Sequence, residues 1–195
     1  MDITSIDKEI FSLINGHVGS YKWLDTLAGL LVSDYLIPVS FSLLLLSIWI
    51  GWKDDVMRDR NQTGVLLSIF GVITANAIVK IMNLIFFRPR PFDELDVNLL
   101  FYMPTDSSFP SNPAAVAFAI ATGIFHINKK LAISMYLLSA LYGLSRIYAG
   151  VCYPTDLIAG MAIGILSVIT IRIFFYYMKW IPSLILNQAR NFYLA

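Results

Sequence analysis

Three short clusters in this chain bring together residue types that bind phosphate. They are Arg88-Pro89-Arg90-Pro91-Phe92, Phe109-Pro110-Ser111-Asn112-Pro113, and Ser145-Arg146 with Cys152-Tyr153-Pro154-Thr155-Asp156. Arginine offers a planar fork of N–H donors that matches phosphate oxygens. The second cluster and the latter half of the third also read as helix starts, because Ser caps a helix and Pro suits its first turn. A helix start adds free backbone N–H groups and the positive end of the dipole, both favourable to an anion. Brought to one place, Arg88, Arg90, Arg146 and Ser111 would make a phosphate pocket, and at a membrane surface the phosphate would be carried by a lipid.

Each of these residues also has a plainer role open to it. Ser111, Pro154 and Asp156 can serve as helix-start residues alone. Arg146 can sit in a salt bridge to Asp156 or to a loop acid, and Arg88 and Arg90 can face lipid headgroups. Lys80 lies inside an apolar run and needs a partner, for which Asp34 and Asp156 are candidates. Cys152 suits a small buried filler.

The elements that must position these clusters are membrane helices. The 195 residues are 57% hydrophobic and only 14% charged, with a mean hydropathy of +0.69, far from the composition of a soluble domain. A span needs about 20 apolar residues. Five stretches qualify: about Tyr35 to Trp52, Thr63 to Phe87, Ser111 to His126, Lys130 to Tyr148, and Pro154 to Tyr177. The second of them contains Asn76, Lys80 and Asn83. Lys22 to Ser33 is apolar but short, suiting an interfacial helix, a re-entrant piece or part of a longer tilted helix, so the count is five or six. Ahead of it, Ile3, Ile6, Ile10, Phe11, Leu13 and Ile14 recur at helical spacing and predict an amphipathic helix at the membrane surface. The acids Asp2, Asp7 and Glu9 argue against a cleavable signal there. The chain therefore divides into an amphipathic segment (1–20), a transmembrane domain (21–181) and a C-terminal tail (182–195). The expected fold class is an all-α polytopic transmembrane bundle.

Charge sets the expected orientation. Lys53, Arg58 and Arg60, then Lys129 and Lys130, then Arg172, Lys179 and Arg190 fall on one side, which the positive-inside rule makes cytoplasmic. The opposite side holds the three clusters and the long loop with Asp93, Glu94, Asp96 and Asp106. The pocket is thus expected on the non-cytoplasmic side and the C-terminus in the cytoplasm. A net charge of +1 gives no field for nucleic acid. The single cysteine allows no internal disulfide. No P-loop, dinucleotide fingerprint or Cys/His cluster of metal-ligand spacing occurs, so neither a cofactor nor a metal is expected.

The three clusters resemble the motifs of the type-2 phosphatidic acid phosphatases, a family that includes polyprenyl-pyrophosphate phosphatases. Those motifs are a lysine, six residues and Arg-Pro; Pro-Ser-Gly-His; and Ser-Arg, five residues, His, three residues and Asp. Ser145, Arg146 and Asp156 keep the third spacing, while Asn15-Gly16, Leu24-Asp25 and Ser33-Asp34-Tyr35 look like the family's N-terminal region. The resemblance implies a transmembrane bundle of the phosphatidic-acid-phosphatase type with a phosphate site made by these motifs.

The departures fall on the chemistry. Asn83 stands at the lysine position counted from Arg90; Lys80 lies one turn deeper, about 4.5 Å along the helix, and could snorkel to the site. Pro113 replaces the histidine that protonates the leaving oxygen in the family. Cys152 replaces the histidine that becomes phosphorylated, so Asp156 has no imidazole to orient. His126 lies about 22 Å along its helix from Ser111, and His17 is the chain's other histidine. The catalytic positions Pro113, Cys152 and Asp156 therefore read as vestigial. Arg88, Arg90, Ser111, Arg146 and Lys80 remain as phosphate-binding candidates. The preferred function is a non-catalytic protein that binds an anionic lipid or polyprenyl phosphate, or acts as a membrane subunit with protein partners. The rival is an active lipid phosphate or pyrophosphate phosphatase with altered catalytic groups.

The topology is open to test by cysteine labelling on a Cys152→Ser background. A cysteine placed between Asp93 and Asp106 is expected to react from outside the cell, and one at Lys129 only after permeabilisation. A Lys129 tag labelled only from outside would reverse the orientation.

Overall fold

The computed structural model describes residues 3–50 and 55–191, and their regular structure is entirely helical. Trp52 and Lys53, expected at the end of the first span and in the loop after it, lie outside the described residues. The helices are α1 (Ile3–Asn15), α2 (Lys22–Leu31), α3 (Leu36–Ile50), α4 (Asp55–Ile85), α5 (Pro91–Glu94), α6 (Asn112–Phe125), α7 (Lys129–Tyr148), α8 (Pro154–Tyr177) and α9 (Trp180–Asn191).

Three of these, α4, α7 and α8, are long and apolar enough to cross a membrane, and α2 with α3 makes a fourth apolar segment bent by 49°. The short stretch before the first expected span is therefore helical and continues into it through a bend, which places Asp34 at the elbow. The third expected span, α6, has 14 residues, about 21 Å of helix, and falls short of span length because Asn112-Pro113 opens it and the Asn128 cap of α7 follows closely. It is the hub of the bundle, packed against α3, α4, α7 and α8. Its alanines allow close approach, as small residues do between membrane helices. Where α6 meets α4, a Cβ on Gly123 would run into the Ser68 backbone, and where it meets α8, a Cβ on Gly164 would run into the Ala115 carbonyl.

Two elements differ from the sequence-based expectation at their ends. α4 begins at Asp55 rather than near Thr63, because the polar residues before its apolar run are buried by tertiary contact: Asn61 and Gln62 are enclosed. The C-terminal stretch read as a tail is mostly helix α9, which lays Leu186, Ile181 and Ile185 against Leu66, Leu67 and Phe175.

α1 is amphipathic as its spacing predicts, yet it is bolted to the bundle by polar groups as well as by its apolar face. Phe11 packs edge-on to Tyr153 with ring centres 5.5 Å apart. Asn15 donates to the Tyr148 carbonyl at 2.8 Å and the Asn98 carbonyl at 2.9 Å, and accepts from Asn98 N–H at 2.9 Å. Asp7 is buried, and its carboxylate accepts from Arg88 at 2.6 Å, from Thr155 N–H at 3.0 Å and from the Thr155 hydroxyl at 2.6 Å. Removing one partner of a buried ion pair costs about 3–5 kcal/mol. Asp7→Ala is thus expected to lower the thermal midpoint in detergent sharply, whereas Lys8→Ala, which breaks the half-exposed pair with Glu94, should cost no more than about 1 kcal/mol. Equal midpoints for the two variants would contradict the anchoring role of Asp7.

Candidate functional site

A cavity of about 190 Å³ opens at the end of the bundle where α6 begins and α7 finishes, and its wall includes Arg90, Arg146, Ser111, Asn112, Pro113 and Cys152. Each is held by a local reason. The Ser111 N–H donates to the Asp156 carbonyl at 3.0 Å, which pins the start of α6 to the start of α8. The Ser111 hydroxyl makes no capping bond to its own helix. Arg146 occupies the last turn of α7, where the dipole favours a cation; its guanidinium lies 5.5 Å from the Phe101 ring and 5.9 Å from that of Tyr142. Arg90 is buried and donates to the Val151 carbonyl at 2.7 Å and the Asp106 carbonyl at 3.0 Å. Asn112 keeps a buried side-chain oxygen with no partner. Proline at 113 brings no N–H to a helix start that would otherwise offer one to an anion.

Three expectations are corrected by this geometry. Arg88, two residues from Arg90, does not line the cavity. It donates to Asp156 at 2.5 Å, to Asp7 at 2.6 Å and to the Thr155 hydroxyl at 2.8 Å, and stacks over the Tyr153 ring at 4.2 Å. The start of α8 is likewise taken: Asp7 accepts the Thr155 N–H that an anion would use. Lys80 is exposed on α4, lines no part of the cavity and forms no ion pair among the described residues. The two carboxylates considered for it serve other cations, Asp34 pairing with Arg146 and Asp156 with Arg88.

Asp156 sits just behind the cavity wall. Its carboxylate accepts from Arg88, from the Ser108 hydroxyl at 2.5 Å and from Tyr153 N–H at 3.1 Å. Neither histidine lines the cavity. The His17 carbonyl accepts from the Tyr148 hydroxyl at 3.1 Å, near the cavity end, but its imidazole lies 2.7 Å from the Leu13 carbonyl and is absent from the cavity wall. His126 lines a groove at the opposite end of the bundle, with Arg60, Arg172 and Lys179. Among the described residues no group of His, Cys, Asp and Glu is arranged to hold a metal ion.

The charges in the cavity come in compensated pairs. Arg146 donates to Asp34 at 2.9 Å and Arg90 to Asp106 at 2.7 Å, and both acids line the cavity with Tyr102. The Tyr102 hydroxyl donates to the second Asp34 oxygen at 2.6 Å, a bond that, with burial, raises the phenol pKa. Burial lowers the Arg88 pKa, but the hydrogen bond to Asp7 and the charges of Asp156 and Asp7 outweigh it and leave the value raised. Cys152 is enclosed, and burial first and the Asp156 charge second push its thiol up to about 12. Asp34, Tyr102 and Asp106 were not placed in the site by sequence. Asp34 carried one signal, the Ser33-Asp34-Tyr35 stretch; Tyr102 and Asp106 sit in a loop whose periodicity says nothing about its contacts.

The same chain matches known proteins along most of its length. A model described as the PAP2 superfamily matches residues 64–180, a stretch that holds all three clusters. Undecaprenyl-diphosphatase BcrC of Bacillus subtilis (strain 168) is 30% identical over 158 residues, covering 81% of this chain and 78% of that protein. Among solved structures, Aquifex aeolicus LpxE aligns with a TM-score of 0.66 at 34% identity, covering 83% of this chain and 92% of that one. A PAP2-type phosphatidylglycerolphosphate phosphatase from Bacillus subtilis aligns with a TM-score of 0.65 at 25% identity, covering 88% and 85% respectively.

The buried thiol yields a direct test of the site's reactivity. A raised pKa keeps Cys152 protonated as pH rises through the range where an ordinary thiol, near about 8.5, ionises. Alkylation of the detergent-solubilised protein by iodoacetamide is therefore expected to be slow and to keep rising about tenfold per pH unit between pH 7 and pH 9, without a plateau. A fast rate that levels off near pH 8.5 would show an accessible thiol of ordinary pKa instead.

Proposed function

We propose that this chain, which belongs to the PAP2 superfamily, is a membrane protein that holds a lipid or polyprenyl phosphate in its cavity without hydrolysing it. One observation carries the reading: Arg90, Arg146 and Ser111 line the same small cavity as Pro113 and Cys152, which stand at the positions of the acid and the nucleophile. Binding needs donors, and the guanidinium groups and the start of α6 supply them. Transfer of the phosphoryl group needs a nucleophile and a proton for the leaving oxygen. Proline has no proton to give, and a thiol held at about 12 leaves on the order of one molecule in 100,000 ionised at pH 7. Asn83, at the family's lysine position, also adds no charge to stabilise a transferring phosphoryl group. Arg88 contributes indirectly, by holding Asp156 and α1. The cavity is taken to face the non-cytoplasmic side, on the asymmetry of Lys and Arg between the loops.

The rival reading, an active phosphatase with altered groups, is favoured by the relative named undecaprenyl-diphosphatase. The two separate in one experiment on purified protein in nanodiscs. Wild type is expected to bind phosphatidic acid or a polyprenyl phosphate and to release no phosphate above background. Arg146→Ala should weaken binding about tenfold or more, while Lys179→Ala, at the opposite end, should not. Phosphate release should need Cys152→His and be amplified by Pro113→His, since general acid help is worth about a hundredfold to ten-thousandfold; Asn83→Lys in the triple variant should add further. A wild type as fast as the triple variant overturns the non-catalytic reading. Equal losses of binding at Arg146 and Lys179 overturn the assignment of the cavity.

A further inference from the structure

The cavity's most buried arginine is already holding an anion, and that anion belongs to the chain. Arg146 keeps 4% of its side-chain surface exposed, whereas Asp34 keeps 33%. Arg146 is fixed in the last turn of α7 between Phe101 and Tyr142. Asp34 sits in the short non-helical elbow between α2 and α3, where the chain bends by 49°. A carboxylate on an elbow can move away from a packed helix more easily than the guanidinium can follow it. The second oxygen of Asp34 is braced by the Tyr102 hydroxyl at 2.6 Å, and Tyr102 is exposed on the long loop. Elbow and loop therefore close over Arg146 through one carboxylate.

We infer that Asp34 is a displaceable internal anion that occupies the phosphate position on Arg146 and weakens the binding of any phosphate that must displace it. The inference rests on the reading that the cavity takes a lipid phosphate. To reach Arg146, a ligand must break the bond to Asp34 at 2.9 Å and then lie beside a carboxylate of its own sign. A monoester carries close to two charges at neutral pH and three acceptor oxygens, enough to replace what Asp34 gave the guanidinium fork. A phosphodiester carries one charge, no more than the carboxylate it would displace, so it gains little from the exchange. Asp34 thus adds the same displacement cost to every anion, and the monoester, which gains more from Arg146, is the one that meets it. The ligand's phosphate can come from a lipid headgroup or from free phosphate. A lipid has the further advantage of an apolar groove formed by Leu30, Leu36 and Val39 on the same elbow, where Ser33 and Tyr35 flank Asp34.

The test compares wild type, Asp34→Asn, Tyr102→Phe and Arg146→Ala as full chains in phosphatidylcholine nanodiscs. The probes are phosphatidic acid as monoester, phosphatidylglycerol as phosphodiester, and inorganic phosphate. Wild type should prefer phosphatidic acid to phosphatidylglycerol by about tenfold or more. Asp34→Asn, which removes the charge and can still accept from Tyr102, should tighten both about tenfold and leave the preference for phosphatidic acid at least as large. Tyr102→Phe, which removes the brace and keeps the charge, should tighten phosphatidic acid less than Asp34→Asn does. Inorganic phosphate that competes fully in every variant would make the bare anion the ligand; competition that is weak relative to phosphatidic acid assigns it to the lipid, and in both cases Asp34→Asn must tighten it. A wild type that binds phosphatidic acid while Asp34→Asn binds it equally or more weakly, with an unchanged thermal midpoint, overturns the displacement role alone. Failure of wild type and Asp34→Asn alike to bind any probe overturns the lipid-phosphate reading beneath it.

Discussion

The arrangement of this end of the bundle depends on one buried carboxylate and its cation. Asp156 is fully enclosed at the first turn of α8, where an unpaired charge would be prohibitively costly. Arg88 answers it, and the same guanidinium reaches Asp7. This one three-residue bridge joins the exit of α4, the start of α8 and the N-terminal helix. Ser108 and the Tyr153 N–H complete the carboxylate's hydrogen bonds, which brings the long loop down onto the bundle. The backbone carbonyl of the same aspartate accepts from Ser111, so the start of α6, and with it the cavity wall, is located by Asp156 as well.

That bridge also fixes what Asp156 is free to do. In the family pattern the aspartate's task is to orient an imidazole; here it is saturated by Arg88, Ser108 and backbone, and its neighbour Cys152 is a protonated thiol donating weakly to the Tyr153 carbonyl at 3.3 Å. The scaffold that brings Arg90, Arg146 and Ser111 together is held by its own pairings. The recess therefore carries its arginines already paired, Arg146 with Asp34 and Arg90 with Asp106.

Much of this was legible in the sequence, for physical reasons. Apolar runs of span length located α3, α7 and α8 closely and the end of α4, and Ser-Arg with a spaced Asp placed two helix ends side by side. What could not be read is which side chain of a cluster faces the cavity. Arg88 and Arg90 are alike in type and setting, and they are told apart by partners distant in sequence, Asp7 and Asp156 being 81 and 68 residues from Arg88. The elbow between α2 and α3 was visible as a short apolar stretch with several possible geometries, since composition does not report a bend. Lys80 was given a site role because it lies one turn from the family's lysine position and could snorkel to the site, whereas it is exposed on α4 and lines no part of the cavity.

The central claim is that a lipid phosphate sits on Arg146 and stays intact. The most direct measurement is phosphorus-31 NMR of the wild-type protein in nanodiscs containing phosphatidic acid, followed for a day. The account predicts a shifted monoester resonance that is lost in Arg146→Ala and whose integral does not change with time. Growth of an inorganic phosphate signal at the expense of that resonance, in protein free of any contaminating phosphatase, would contradict it.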